Sequence, residues 1–210
     1  MGPVLELTNL HLWRGERLVL KGMNLGVAPG EALQLLWPNG AGKTSLLRCI
    51  AGFLHAEEGV ISWKGANTAQ DLRAFHGDLA YLGHELALKG DLTTTENLRY
   101  SLGLRHRTTD AAIATALQSL GLVAAEHELV RRLSAGQQRR VALARLCLWN
   151  AQLWLLDEPA ANLDAAGQRH VTEAIGRHLA AGGSAIIATH QALALDAAVS
   201  RQSFLPGDLQ

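Results

Sequence analysis

The chain has 210 residues, of which 48% are apolar and 18% charged, and its 19 basic and 19 acidic residues give a formal net charge of zero. Because soluble domains carry ~25% charged residues, this composition excludes a disordered or fibrous chain and predicts one compact core. The balanced charge gives no reason to expect nucleic acid or anionic lipid as a partner. The two cysteines, Cys49 and Cys147, fit neither a disulfide framework nor a zinc motif.

Predicted strands dominate the first third of the chain. Alternating apolar residues predict strands over Val4–Leu10 and Leu18–Val27, and the apolar run Ala32–Trp37 predicts a buried strand. A glycine-rich turn then leads into a segment whose apolar residues recur at helical spacing. Two further short strands are predicted at Gly59–Lys64 and Leu79–Gly83.

Helical periodicity dominates the middle of the chain, and strands and helices alternate in the last third. Helices are predicted over Thr94–Leu102, Ala111–Leu120 and Ser134–Trp149. The later elements are strand Gln152–Leu156, helix Ala165–Ala181, strand Ser184–Thr189, helix Gln191–Val199 and an extended end at Gln202–Leu205. This alternation predicts an α/β fold in a single domain, 1–210, with a helical subdomain at about 85–150. No run approaches the ~18 apolar residues of a membrane span, so we expect a soluble, cytosolic protein.

The segment Asn39–Thr44 lies between a predicted buried strand and a predicted helix, the context that a phosphate-binding P-loop requires. Its glycines let successive backbone N–H groups turn toward one point, and the helix start adds partial positive charge. Lys43 is then placed to reach the outer phosphates of a nucleotide, and Thr44 to place its hydroxyl on Mg²⁺. The alternative is a glycine-rich turn whose lysine faces solvent. One position departs from the pattern, because Trp37 stands where the P-loop has glycine.

Two carboxylates, Asp157 and Glu158, follow a predicted buried strand, where ligand sites of α/β proteins lie. Asp157 can hold Mg²⁺, and Glu158 can orient a water molecule for in-line attack on a γ-phosphate. The alternative is a pair of negative charges that stabilises the start of a helix. His190 ends another predicted strand and could donate to a γ-phosphate, although a lone histidine there is usually structural.

The segment Leu133–Gln137 reads Leu-Ser-Ala-Gly-Gln and precedes a predicted helix. Ser134 can cap that helix, while Gly136 exposes backbone N–H groups at its positive end. Because one P-loop needs no second phosphate-binding helix end in its own site, we interpret this segment as serving a neighbouring protomer's nucleotide. The alternative is an ordinary capped helix. An anion-binding patch is one interpretation of Arg139, Arg140 and Arg145, but we expect them on an exposed helix face, solvated or paired.

Together, the segments PNGAGKT, LSAGQQRR, LWLLDEP, NLD and IIATH resemble the ATP-binding subunits of ABC transporters, in order and spacing, over the whole chain. The segment YLGHELALKGDLTTTENL narrows the resemblance to the haem-exporter class, which serves c-type cytochrome biogenesis. The resemblance implies an α/β P-loop NTPase fold of the ABC nucleotide-binding-domain type, with an N-terminal antiparallel β subdomain and a helical subdomain. It also implies ATP and Mg²⁺, a head-to-tail homodimer, and integral membrane permease subunits of the cytochrome c maturation system. The expected location is the cytoplasmic face of the inner membrane, with no nucleic acid partner and no haem site in this chain.

The resemblance also assigns site residues. It implies catalytic roles for Lys43, Glu158 and His190. It implies metal contacts from Thr44, Asp157 and His84, the last standing where most members carry the Q-loop glutamine. The implied nucleotide contacts are Trp13, Trp37, Pro38, Asn39, Gly40, Ala41, Gly42, Lys43, Thr44, Ser45, Ser134, Gly136, Gln137 and Asp164. Arg14 is an alternative to Trp13 as the residue that stacks on adenine.

Two other functions remain compatible with these residues: an ABC ATPase for another substrate, or a nucleotide-binding scaffold in which Trp37 has abolished turnover. Because Pro38 favours extended geometry at residue 37, we expect the loop to keep its path with the indole packed beneath it. A strained backbone is expected there, so that Trp37→Gly tightens ATP binding. The loop after the strand at Leu79–Gly83 is expected to offer Leu86 and Leu88 to the membrane subunit.

Overall fold

The computed structural model describes residues 2–103 and 108–204, and its strands form one antiparallel and one parallel sheet. The strands are β1 (Leu5–Arg14), β2 (Arg17–Val27), β3 (Ala32–Leu35), β4 (Glu58–Trp63), β5 (Ala66–Asn67), β6 (Leu79–Leu82), β7 (Leu153–Asp157), β8 (Ser184–Ala188) and β9 (Ser200–Ser203). The helices are α1 (Lys43–Ile50), α2 (Leu72–Asp78), α3 (Thr94–Gly103), α4 (Asp110–Ser119), α5 (Ala135–Leu148) and α6 (Ala165–Ala180). The predicted α/β fold is confirmed.

The antiparallel sheet has the strand order β2-β1-β4-β5 and covers one side of the core. In β1 the apolar alternation slips at Asn9, whose φ is 49° and where the register with β2 shifts. This bulge keeps the later apolar residues of the strand on the core face. The residues that β1 buries are Leu5, Leu7, Leu10 and Leu12. They pack in one cluster with β3 and α1, so the sheet lies against the strand and helix that flank the P-loop.

The parallel sheet has the order β6-β7-β8-β3-β9. Strands β3, β7 and β8 are buried along their whole length, which explains why each reads as an apolar run without alternation. Helix α1 packs on one face of this sheet, and α5 and α6 pack on the other. Because parallel strands end at the same edge, the residues that follow β3, β7 and β8 are brought together there.

Helices α3 and α4 each pack against α5 in the segment predicted to be helical. Apolar residues of α3 and α4, with those of α5, form one cluster that continues under β6 and β7. The division into one domain with a helical subdomain at 85–150 stays a prediction. Within residues 2–103 and 108–204, no helix combines the length and apolar character that crossing a bilayer requires.

The predicted helix Gln191–Val199 is wrong, because this segment has no regular structure. Buried Gln34 on β3 engages its backbone: the Leu193 N–H donates to Gln34 Oε1 at 2.7 Å, and Gln34 Nε2 donates to the Leu193 carbonyl at 3.2 Å. These bonds hold the backbone groups that a helical turn would use. The extended end forms as β9 at Ser200–Ser203, while Leu205 lies outside the described residues. Strand β5 and the short helix α2 were not predicted from the sequence. Asp71 caps α2, because its Oδ1 accepts a hydrogen bond from the Ala74 N–H at 2.9 Å.

Candidate functional site

A pocket of about 470 Å³ opens at the carboxyl edge of the parallel sheet, beside the end of the β1–β2 hairpin. Its lining residues are Arg14, Arg17, Val19, Pro38, Asn39, Gly40, Gly42, Lys43, Thr44, Ser45, His84, Asp157 and Glu158. Most of the predicted P-loop therefore meets both predicted carboxylates and His84 in one cavity. Glu158 also lines a neighbouring pocket of about 490 Å³, which contains His190. Trp37 and Ala41 belong to the predicted nucleotide contacts but do not line the first pocket.

The P-loop turns through two glycines with left-handed backbone, Gly40 at φ 78° and Gly42 at φ 98°. A β-carbon on Gly42 would lie 2.5 Å from Val19 Cγ1, so only glycine fits there. Helix α1 begins directly after Gly42 without a side-chain cap and without an acidic residue in its first turn. Its first backbone N–H groups therefore remain available for an anion.

Lys43 is only 8% exposed although it carries a charge. Its Nζ donates to the Trp37 carbonyl at 2.6 Å and to the Pro38 carbonyl at 3.3 Å. The ammonium group is thus held at the inner wall of the pocket by the backbone of the loop itself, as a buried charge requires.

The Trp37 indole is packed beneath the loop, with 1% of the residue exposed, and its Nε1 donates to Ser203 Oγ at 3.4 Å. Trp37 acts on the pocket through its backbone carbonyl, which accepts a hydrogen bond from the Lys43 ammonium group. The described non-glycine residues with positive φ are Asn9, Lys64, Ala87, Glu158 and Asn162. Trp37 is not among them, so the expected left-handed strain is wrong. The indole fills core volume and leaves the pocket open.

Asp157 ends β7 and is 3% exposed. The Thr44 hydroxyl lies beside its carboxylate, and both residues line the pocket. Burial raises the pKa of Asp157, and the neighbouring Thr44 hydroxyl acts in the opposite direction. Its Oδ2 is buried and accepts no hydrogen bond from any residue in the described part of the chain. A buried carboxylate oxygen without a donor, beside a hydroxyl oxygen, fits a hard cation such as Mg²⁺.

Glu158 follows with a left-handed backbone, φ 50°, which is costly for a residue with a side chain. Its Oε2 lies 3.0 Å from His190 Nδ1, so the structure brings together two of the three predicted catalytic residues. The third, Lys43, lines the same pocket as Glu158. The Glu158 N–H donates to the Ala188 carbonyl at 2.8 Å, which continues the β7–β8 ladder into the site.

Sequence reasoning missed Arg139. The expected exposed arginine face of α5 is wrong, because Arg139 is 5% exposed and Arg140 and Arg145 are half-buried. Arg139 Nη1 donates to the Asp157 carbonyl at 3.2 Å and to the Glu158 carbonyl at 2.5 Å. One signal was present: apolar residues three, four and seven positions later place Arg139 on the buried stripe of its helix.

The segment Leu133–Gln137, called the signature below, lies apart from the P-loop pocket in a single chain. Ser134 caps α5 in a capping box, in which its Oγ accepts from the Gln137 N–H at 3.2 Å and Gln137 Oε1 accepts from the Ser134 N–H at 2.9 Å. A β-carbon on Gly136 would lie 3.0 Å from the Asn162 carbonyl, so this glycine permits close packing of the 162–163 loop. Asp164 caps α6, accepting from the Gly167 N–H at 2.7 Å. Their nucleotide contacts stay predictions.

The β1–β2 hairpin presents arginines to the pocket. Trp13 is 44% exposed and does not line the cavity, whereas Arg14 and Arg17, which face each other across the hairpin, both do. Neither guanidinium group has an ion pair or hydrogen bond to another described residue. The alternative to Trp13, Arg14, is therefore the side chain that reaches the site.

Comparisons with known proteins agree with this geometry. The family model described as "ABC transporter" matches residues 20–161. The Cytochrome c biogenesis ATP-binding export protein CcmA of Yersinia pestis is 44% identical over 190 residues, which is 90% of this chain and 87% of that protein. The protein of the same name from Aliivibrio fischeri is 42% identical over 193 residues, covering 92% and 95%. That from Xanthomonas axonopodis pv. citri is 46% identical over 192 residues, covering 91% and 89%.

Solved structures show the same architecture. A Pyrococcus furiosus protein described as an ABC transporter ATP-binding protein superposes with a TM-score of 0.82 at 26% identity, over 94% of this chain and 96% of that one. The ATP-binding subunit of another ABC transporter gives a TM-score of 0.79 at 25% identity, over 89% and 79%. The P-loop pocket, the family match and these relatives agree, and the chain belongs to the ABC transporter family as an ATP-binding subunit.

Proposed function

We propose that this chain hydrolyses ATP for a membrane transport complex of c-type cytochrome biogenesis. The observation that carries the enzymatic part is the convergence of P-loop, Asp157 and Glu158 on one pocket. The cytochrome c assignment is supported by 42–46% identity, over about nine-tenths of the chain, to proteins named for that process. The scaffold alternative assumed that Trp37 blocks turnover, but the Trp37 indole is buried and lies outside the pocket.

The start of α1 is the proposed phosphate site. Its free N–H groups and the turn through Gly40 and Gly42 would cradle the phosphates. Lys43 would turn its ammonium group from the loop carbonyls toward the outer phosphates, a short movement because it already lines the cavity. The unpaired guanidinium of Arg14 would stack on the base.

Thr44 and Asp157 are the residues proposed to hold Mg²⁺, and His84 lines the same pocket. When bound, the cation would neutralise charge on the phosphate oxygens. The buried, unpaired Oδ2 of Asp157 and its neighbouring hydroxyl are the support for this assignment.

Glu158 is the proposed acceptor that orients water. Water oxygen would attack the γ-phosphorus, the bond from phosphorus to the β–γ bridging oxygen would break, and ADP and inorganic phosphate would result. Glu158 would hold the attacking water by a hydrogen bond and accept its proton. His190 supports this role, since its ring lies 3.0 Å from the Glu158 carboxylate and fixes the orientation of that group.

The proposed partners are a second copy of the chain and integral membrane permease subunits, at the cytoplasmic face of the inner membrane. The second copy would supply Ser134, Gly136 and Gln137 to the nucleotide. Leu86 and Leu88, expected as contacts with the membrane subunit, are half-buried and pack against the chain's own core. Their contact with the membrane subunit stays a prediction, and replacing both by serine is expected to disturb the packing of the chain as well.

The enzymatic proposal is tested by steady-state phosphate release from the purified chain with ATP and Mg²⁺. Wild type is expected to release phosphate, and Lys43→Ala to lose both release and nucleotide binding. Lys21→Ala, which removes an exposed lysine of β2, is the matched control and is expected to behave as wild type. Binding without phosphate release by wild type would favour the scaffold instead.

The pathway is tested by affinity purification of the tagged chain from detergent-solubilised membranes of its own cells. Permease subunits of the cytochrome c maturation system are the expected co-purifying proteins. A permease for an unrelated solute would reject the cytochrome c assignment while leaving the ATPase intact.

A further inference from the structure

Arg139 is a buried cation that forms no ion pair in the described part of the chain, and its guanidinium group donates to backbone carbonyls. The two carbonyls belong to Asp157 and Glu158, the acidic pair at the end of β7, at 3.2 and 2.5 Å. Burying a guanidinium is expensive, so a side chain placed there must be fully engaged by its surroundings. A short apolar residue would fill the space at lower cost, but it would remove one donor from each of these carbonyls.

The backbone that Arg139 holds is itself strained. Glu158 has φ 50°, a conformation that costs about 1–3 kcal/mol for such a residue and persists only when its surroundings impose it. Its N–H bonds the Ala188 carbonyl at 2.8 Å, and its carbonyl accepts from both the Ala161 N–H, at 3.1 Å, and Arg139. Three bonds thus fix the backbone of this one residue, and the one to Arg139 is the shortest.

The direction in which the Glu158 carboxylate points follows from that backbone. Side chains of a strand point alternately to the two faces of the sheet, but a left-handed residue at the strand end breaks this pattern. The Glu158 carboxylate is thereby directed toward His190. If residue 158 relaxed to an extended conformation, its carboxylate would swing away from the pocket edge. The helix that supplies Arg139 is α5, which begins at Ser134.

We propose that Arg139 is a positioning residue for ATP hydrolysis, which holds Glu158 in its left-handed conformation and so aims the carboxylate at the attacking water. This inference rests on the proposed function and deepens it. Arg139 touches neither nucleotide nor water in this assignment, since it does not line the pocket.

The test compares Arg139→Gln and Arg139→Lys with a matched control, Arg140→Gln. Arg140 is the next residue on the same helix, and its Nη1 also donates to backbone carbonyls, those of Leu120 and Gly121 at 2.8 and 3.3 Å. Those carbonyls lie after α4, away from the acidic pair. The control therefore removes the same kind of contact without touching Glu158.

Four quantities are measured for each protein with ATP and Mg²⁺: kcat, KM, the Kd of a fluorescent ATP analogue, and Tm. Arg139→Gln is expected to lower kcat by roughly 10²-fold, the loss typical of a catalytic group misplaced by about 1 Å. Its Kd is expected to stay within about twofold of wild type, because the phosphate contacts are intact. Arg139→Lys restores one donor and is expected to recover part of kcat. Arg140→Gln is expected to lower Tm with little change in kcat.

A double mutant separates positioning from general stability. Adding Arg139→Gln to Glu158→Gln is expected to lower Tm further but to leave the residual rate unchanged, since there is no carboxylate left to aim. A further fall in that rate, or equal losses of kcat in Arg139→Gln and Arg140→Gln, would overturn the inference. A wild-type kcat in Arg139→Gln would also overturn the inference, but it would leave the proposed function unaffected. No hydrolysis by wild type, alone or on membranes, would reject both.

Discussion

Side chains around the P-loop divide into those that face the pocket and those that support the loop from beneath. Trp37 supports it: the indole is buried with Leu33, Leu35 and Leu46, and the Trp37 carbonyl holds the Lys43 ammonium at 2.6 Å. Because the backbone at residue 37 is not left-handed, glycine would relieve no strain there. A small residue would instead leave a cavity the size of an indole.

Trp37→Ala is expected to destabilise the protein by about 3–5 kcal/mol, as for other buried aromatic residues cut back to alanine. ATP binding is expected to stay equal or weaken. Urea unfolding and ATP titration measure the two effects. Trp13→Ala is the control, since Trp13 is 44% exposed and its loss is expected to cost much less stability. Tighter ATP binding by the Trp37 variant would contradict this account.

Arg14 gives a second prediction at this scale. Arg14→Ala is expected to weaken ATP binding by up to about tenfold, as ~1.4 kcal/mol of lost stacking implies. Arg14→Tyr keeps a flat surface and is expected to bind nearly as tightly as wild type. Trp13→Ala, one residue away but outside the pocket, is expected to bind normally. Equilibrium titration with ATP decides, and a larger effect at residue 13 would return the stacking role to Trp13.

Among the elements, α6 and β8 are joined by a tight turn against the edge of the sheet. The His178 ring stacks on Trp154 of β7, with centroids 4.0 Å apart and 8° between planes, and its Nε2 bonds the Ser184 carbonyl at 3.1 Å. A β-carbon on Gly183 would lie 2.2 Å from the imidazole, so the turn closes directly over the ring. Burial lowers the pKa of His178 below its ordinary value of 6.5.

This shift predicts how stability depends on pH. Because the pKa of His178 is lower in the folded chain, the unfolded chain binds more protons as the pH falls. The contribution of His178 to stability is therefore fully present above pH 6.5 and is lost as the pH drops through the folded pKa. His178→Phe keeps the stack but cannot titrate. The free energy of unfolding, measured by urea between pH 7.5 and 5, is expected to fall more for wild type than for the variant. Parallel curves would show that His178 does not contribute.

For the whole molecule, the main question is how two separated sets of predicted nucleotide contacts serve one ATP. The P-loop lines the pocket, whereas Ser134, Gly136 and Asp164 do not line it in a single chain. A head-to-tail pair of chains would place the signature of one over the P-loop of the other. Hydrolysis would then separate the pair, because the γ-phosphate that both chains hold is lost.

Glu158→Gln is therefore expected to form a stable dimer with ATP and Mg²⁺, because it binds nucleotide but cannot hydrolyse it. Sedimentation velocity is expected to show dimer with ATP and monomer with ADP. Adding Lys43→Ala is the control, expected to stay monomeric for lack of nucleotide. If Glu158→Gln remains monomeric at saturating ATP, both alone and with its membrane partner, the shared-site proposal fails.

The sequence by itself determined the α/β class, the P-loop and the acidic pair. Each depends on a local pattern: an apolar run that becomes a buried strand, and a fixed spacing of glycine, Lys43 and Thr44 at a helix start. Parallel strands then bring the residues after β3 and β7 to one edge, so even the meeting of Thr44 with Asp157 was predictable.

Only the tertiary structure decided which side chains support these groups. Gln34 bonds the backbone of Leu193, 159 positions away, and so prevents the helix that the local pattern favours. The sequence favours a Trp37 indole beneath the loop, but its neighbours there, Ser203 of β9 and the core around β3 and α1, come from the tertiary structure. Arg139 and Glu158 are 19 residues apart in the chain, and they meet because Arg139 of α5 reaches the end of β7. Such contacts join residues far apart in sequence, so local spacing can predict that Arg139 is buried but not which carbonyls it meets.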